Sequence, residues 1–374
     1  MRIAIIGAGI VGATAAYQLS KNKEVELVVY DDGVGQATKA AAGIICPWLS
    51  QRRNKDWYRL TARGASYYPE LMEQLEADGV TQLPYEQVGA LVFKKTPELL
   101  EKLEKIVAER RKEEERIGTL KKIEVESISS YIPGWNGTHG AIHCSGGGRV
   151  DGKLLVEQQL YLAQQNGANI QQEKVSLRRD EEGKVVVKTN DGLEQFDKII
   201  LASGAWVKEL IEPLGYYVDV RPQKGQLIEL ELETTEKTEK WPVCMLHGEI
   251  DILPFADGKV IVGATHENDQ GFDLIDNQEL QQKMYEEACE VFPPLKQAKW
   301  VGSRIGTRAY TSDFLPFFGS IPEENSIFVA SGLGSSGLTS GVWIGVLLAQ
   351  LSVGDTPLFD LDSYTSKNYI KKLI

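Results

Sequence analysis

Apolar and polar positions alternate in patterns that divide the chain into three stretches. Arg2–Ile6 is a β-branched run that reads as a buried strand, followed by a small-residue helix at 13–20 and a second strand at 24–30. Residues 61–79 predict a helix, with Leu71, Leu75 and the aromatic pair Tyr67 and Tyr68 at helical spacing. A densely charged helix follows at 97–117, where Leu99, Leu103, Ile106 and Val107 form one narrow apolar stripe and the charge run reads as a solvated face. A helix at 150–166 passes through Gly167 into a strand at 169–175. Strands at 184–189 and 196–202 flank the turn Asn190-Asp191-Gly192. Next come a strand at 225–231 and a hairpin of 250–255 with 259–264 across Ala256-Asp257-Gly258. A short strand at 327–330 then runs into a glycine-rich loop at 332–337 and an apolar helix at 342–351. The order is α/β, then β-rich, then α/β again, as expected when one domain is interrupted by another.

At 374 residues the chain has length for two domains, and 42% hydrophobic with 25% charged residues is ordinary globular composition. A formal net charge of −12 repels phosphate backbones, so no nucleic-acid partner is expected. No run of about 18 uninterrupted apolar residues is present, so no integral membrane association is expected. The chain opens directly on a strand, without a basic segment and apolar core before it, which points to the cytoplasm. Cys46, Cys144, Cys244 and Cys289 have neither C-x-x-C nor zinc-finger spacing, so reduced thiols and no metal site are expected, with Cys46 a small buried filler.

The first strand ends on Gly7-Ala8-Gly9-Ile10-Val11-Gly12 and opens a helix, and the second ends on Asp31-Asp32, about 20 residues on. That context reads as a dinucleotide fingerprint. Gly7 allows the tight turn, Gly9 lets the backbone approach a pyrophosphate, and Gly12 lets helix and strand pack closely. The helix N-terminus offers free N–H groups to phosphate, and Asp31 can accept ribose hydroxyls. NAD and FAD share this pattern. The second loop, Ser331-Gly332-Leu333-Gly334-Ser335-Ser336-Gly337, has no evident task in an NAD enzyme. Under a flavin ring, its helix dipole would stabilise negative charge on the reduced ring.

Taken together, these segments resemble the D-amino-acid oxidase superfamily, in its glycine oxidase and sarcosine oxidase branch. The resemblance runs almost end to end. It rests on the residue 5–12 fingerprint, Thr38-Lys39-Ala40-Ala41-Ala42-Gly43-Ile44, and Ile200-Leu201-Ala202-Ser203-Gly204-Ala205-Trp206. It rests further on Pro222-Gln223-Lys224-Gly225-Gln226, Val262-Gly263-Ala264-Thr265, Gly306-Thr307-Arg308 with Thr311-Ser312-Asp313, and the closing glycine loop. The resemblance implies an α/β fold: an FAD-binding Rossmann-like (GR2-type) domain with an interposed α+β substrate domain built on a mostly antiparallel sheet. The corresponding division is 1–80, 145–220 and 320–374 for the FAD domain, and 81–144 with 221–319 for the substrate domain.

The implied cofactor residues are Gly7, Gly9, Ile10, Val11, Gly12, Asp31, Asp32, Ala37, Thr38, Ala41, Ala42, Gly43, Ile44, Val175, Ser203, Gly204, Trp206, Gly332, Leu333, Gly334, Ser335, Ser336, Gly337 and Leu338. The implied reaction is oxidation of a small amino acid or secondary amine by hydride transfer from its α-carbon to flavin N5. Its products are an imine, then an oxo acid and, with dioxygen as acceptor, hydrogen peroxide. Another electron acceptor, a homo-oligomer, and an FAD-binding protein without turnover stay open. Arg308 stands where such enzymes hold the substrate carboxylate, and a guanidinium suits that task with two parallel hydrogen bonds. Arg304 reads as an ordinary ion-paired arginine.

Two departures stand out. Asp251 replaces a tyrosine that helps hold the carboxylate, so it either recognises a cationic group or points to solvent; His266 ends the hairpin strand near the expected pocket. Gly306 stands where sarcosine-oxidase-like members carry a flavin-linking cysteine, so non-covalent FAD is expected.

Overall fold

The computed structural model describes residues 1–373. Two sheets dominate it. The first has six strands in the order Phe317–Ile321, Glu324–Ser331, Lys198–Leu201, Arg2–Ile6, Glu26–Tyr30 and Asn169–Gln171. All its pairings are parallel except that of the first two strands, and Ile5 stands in register with both Ile200 and Val29. Its central strands are apolar on both faces because helices cover them, as parallel sheets require. Helices Ile10–Ser20 and Gly337–Val353 pack together on one side.

The second sheet has eight strands: Lys299–Tyr310, Arg221–Glu231, Lys259–Gly263, Asp251–Pro254, Val243–Met245, Ala90–Phe93, Ala141–Cys144 and Leu120–Ile123. Only the pairing of Val243–Met245 with Ala90–Phe93 is parallel. Lys299–Tyr310 also reaches the first part of the fold. The Thr307 N–H donates to the Gly35 carbonyl at 3.0 Å, Thr307 bridges Gln36, and Tyr310 bridges Leu333.

Several elements differ from the pattern reading. The helix expected at 61–79 starts at Lys55, because the Asn54 side chain caps it by accepting from the Trp57 N–H at 2.9 Å. The charged helix ends at Arg110 rather than 117. Its buried stripe is Leu100, Leu103 and Val107, with Leu99 on the exposed side, and the charged residues after Arg110 supply nothing further to bury. The strand expected at 169–175 stops at Gln171, since the chain then turns along the cleft described below. The C-terminal helix is longer than expected. Residues Gly334–Val353 are apolar and long enough to cross a membrane by length and composition, but 72% of that window is buried inside the fold. All four cysteines are buried and unbridged.

Candidate active site

Two adjoining cavities lie between the sheets. They share Ala37, Thr38, Arg308, Gly334 and Gly337. The first is a cleft along the C-terminal ends of the parallel strands, where doubly wound sheets bind ligands. It is lined by Gly7, Gly9, Ile10, Val11, Asp31, Asp32, Val175, Ser203, Gly204, Trp206 and Leu333. The second, a chamber under the antiparallel sheet, is lined by Ala41, Ala42, Gly43, Ile44, Ser335 and Leu338 on one side. Asp251, His266, Glu249 and the glycines 225, 263 and 306 complete it.

Three residues expected at the cofactor line neither cavity. A Cβ on Gly12 would lie 1.8 Å from the Gly7 carbonyl oxygen, so Gly12 serves the close strand–helix turn. A Cβ on Gly332 would meet the Thr311 methyl at 2.6 Å. Ser336 is buried, and its hydroxyl accepts from Trp57 Nε1 at 3.1 Å.

The cleft fits a dinucleotide. The Ile10 N–H donates to Thr38 Oγ1 at 3.0 Å, and the following first-turn N–H groups of that helix have no intrahelical acceptor. Gln36 Oε1, Ser203 Oγ and Thr307 Oγ1 are buried on its walls without a hydrogen-bond partner, so polar ligand atoms would satisfy them. Asp31 departs from a simple ribose role. Its carboxylate already accepts from the N–H groups of Ala8 at 2.5 Å and Gly33 at 2.6 Å and from the Gln36 amide at 2.5 Å. It therefore also fastens the turn that carries the fingerprint.

Arg308 projects from Lys299–Tyr310 to the junction of the two cavities. Its Nη1 donates to the Thr265 carbonyl at 2.8 Å and to Gln223 Oε1 at 3.3 Å. Among the described residues no carboxylate forms an ion pair with it, whereas Arg304 pairs with Glu229 as expected. Burial lowers the Arg308 pKa to about 10, partly offset by Glu267. A half-buried cation without a paired anion gains from an anionic ligand that takes up its free donors. The guanidinium lies against the backbone at Gly225, where a Cβ would come within 2.6 Å of Cζ.

Asp251 faces this chamber instead of open solvent. Its Oδ1 accepts from the Leu246 N–H at 3.1 Å, and burial raises its pKa to about 7. His266 is exposed at the chamber mouth, and desolvation together with the Arg308 charge lowers its pKa. Glu249 was not anticipated. It lies in a bend two residues before the Asp251–Pro254 strand, outside that strand's alternation, so no periodic signal marks it.

A doubly wound nucleotide cleft opening onto a chamber under an antiparallel sheet suits a flavin-dependent oxidoreductase. The chain belongs to the FAD dependent oxidoreductase (DAO) family, whose family model matches residues 2–351. It is 38% identical to the oxidoreductase YurR of Bacillus subtilis over 96% of this chain and 97% of the relative. It is 27% identical to a glycine oxidase of Pseudomonas aeruginosa over 97% of this chain and 98% of that one. The structure of iminodiacetate oxidase (IdaA) from Chelativorans sp. BNC1 superposes with a TM-score of 0.93 at 36% identity, covering 98% of this chain and 99% of that one. The cofactor is FAD, and the NAD alternative left open by the fingerprint is set aside.

Proposed function

We propose that this enzyme oxidises the C–N bond of a small amine that carries a carboxylate, an amino acid or an N-substituted one. The observation that carries this reading is Arg308, a half-buried guanidinium with no paired anion among the described residues, at the point where cofactor cleft and chamber meet. Two parallel hydrogen bonds from it would hold the substrate carboxylate and set the α-carbon over the cofactor. Once the ammonium has lost a proton to give the neutral amine, bound FAD would supply the two-electron acceptor for the hydride of the α-carbon. Water then hydrolyses the imine to an oxo acid, and dioxygen as final acceptor gives hydrogen peroxide.

The relatives favour glycine and iminodiacetate as first candidates, because those substrates stand in their names. Iminodiacetate would yield glyoxylate and glycine. FAD is held without a covalent bond in this reading. No cysteine lines either cavity among the described residues, and a Cβ at Gly306 would lie 2.8 Å from the Ala40 methyl, leaving no room for a thiol there. The two sheets support a division into an FAD-binding part and an interposed substrate-binding part.

The test is an absorbance spectrum of the purified protein under anaerobic titration with iminodiacetate and glycine. Bleaching of the flavin bands, with glyoxylate formed, is the expected result. Flavin bands that no carboxylated amine bleaches would refute the proposed activity.

A further inference from the structure

The chamber wall bears a carboxyl group that a carboxylate clamp alone does not use. Asp251 opens the Asp251–Pro254 strand and faces the same chamber as Arg308. Its strand partner on one side is Gly263, which has no side chain to shield it. One oxygen is fixed by the Leu246 N–H, while Oδ2 has neither a hydrogen-bond partner nor an ion-pair partner among the described residues. A carboxylate in that position attracts a nitrogen donor. Resting on the reading of Arg308 as the clamp, we propose that Asp251 determines specificity for the substrate's nitrogen. Its ionised Oδ2 accepts a hydrogen bond from an N–H of the ammonium group while Arg308 holds the carboxylate. The enzyme would thus recognise a zwitterion at both ends and discriminate against carboxylates that lack the N–H.

The charged and titratable groups around Asp251 are the Cys244 thiol on the neighbouring strand and, around the chamber, Glu249, His266 and Arg308. Burial pushes Cys244 well above the ordinary thiol range, Arg308 stays cationic below about 10, and His266 is held below its usual value. Asp251, at about 7, is therefore the group whose charge changes across neutral pH. Because its ionised form binds the ammonium, affinity should rise with pH through that value.

The test uses the FAD-loaded enzyme and two ligands of nearly equal shape, N-methylglycine and methoxyacetate, in which an ether oxygen replaces the N–H group. Binding is read anaerobically from perturbation of the flavin spectrum, or from the concentration dependence of bleaching, between pH 5.5 and 8.5. In the wild type, N-methylglycine affinity should rise at least tenfold across this window, and methoxyacetate affinity should not rise. D251N should abolish the rise and cut the preference for the amine about tenfold.

A D251N enzyme that retains the rise overturns the proposal. So does a wild-type affinity for the amine that falls as pH increases, because Asp251 would then be donating a proton to an anionic group. The wild-type slope alone decides if D251N does not hold FAD. Loss of methoxyacetate binding in R308A together with an unmoved amine preference in D251N sinks only the Asp251 assignment. Unchanged methoxyacetate binding in R308A, or no binding of either ligand by the wild type, sinks the clamp as well.

Discussion

Gly225→Ala tests the clamp without touching its charge. The added methyl would sit 2.6 Å from Arg308 Cζ and Nη1 and 2.7 Å from Nη2. Comfortable carbon contacts need about 3.5–4.0 Å, so the guanidinium must retreat by about 1 Å. The end of a long side chain yields more readily than the backbone here, because Arg221–Glu231 is paired on both sides, with Lys259–Gly263 and Lys299–Tyr310. A retreat of that size stretches the 2.8 Å bond to the Thr265 carbonyl past hydrogen-bonding range and misaligns the fork facing the substrate. A misdirected charged hydrogen bond costs about 1.5–3 kcal/mol, which is roughly a 10–150-fold rise in substrate Kd. The assay is anaerobic titration of the flavin spectrum with the best substrate, alongside FAD content and thermal midpoint, both expected near wild type. A Kd within twofold of wild type refutes the reasoning. So does a G225A effect that persists in an Arg308→Ala background, where no guanidinium is left to displace.

Arg308→Ala itself should weaken substrate binding by about 2–5 kcal/mol while the purified protein stays yellow, as an absorbance titration will show. Gly12→Ala should yield protein without flavin bands, because its Cβ would collide with the Gly7 carbonyl at 1.8 Å and open the turn that carries the fingerprint. Asn54→Ala removes the cap on Lys55–Ala77 and should cost about 1 kcal/mol, read as a lower urea midpoint with no change in FAD affinity.

The β-α-β start was legible because every signal in it is local: a β-branched run, spaced glycines and an acid at the next strand end. Arg308 was placed at the pocket through resemblance and lines both cavities, while Arg304, set apart as an ordinary arginine, does pair with Glu229. The order of the eight-stranded sheet was not legible. Ala90–Phe93 pairs with Val243–Met245 across some 150 residues, and no periodicity encodes such a partner. The charged helix shows a limit of stripe counting. Leu99 and Leu100 are adjacent, and only the packed structure shows that Leu100 turns inward. Arg149 gave no signal at all. It is 1% exposed, pairs with Glu86 at 2.5 Å and donates to the carbonyls of Glu239 and Trp241, so its environment comes from distant segments. Thr38 was placed at the cofactor, but its capping of a helix that starts 28 residues earlier depends on tertiary structure.

The strand Lys299–Tyr310 has a mechanical consequence. It carries Arg308, forms the edge of the substrate sheet, and is stitched to the cofactor side at Gly35, Gln36 and Leu333. The strand that carries the guanidinium is therefore tied by backbone hydrogen bonds and bridges to the wall of the nucleotide cleft. A hinge that swung the substrate sheet away would have to tear these bonds, so opening must come from smaller parts at the chamber mouth. In such an enzyme, swapping mouth residues such as His266 can change which molecules enter and how fast they leave, with the distance from clamp to ring preserved.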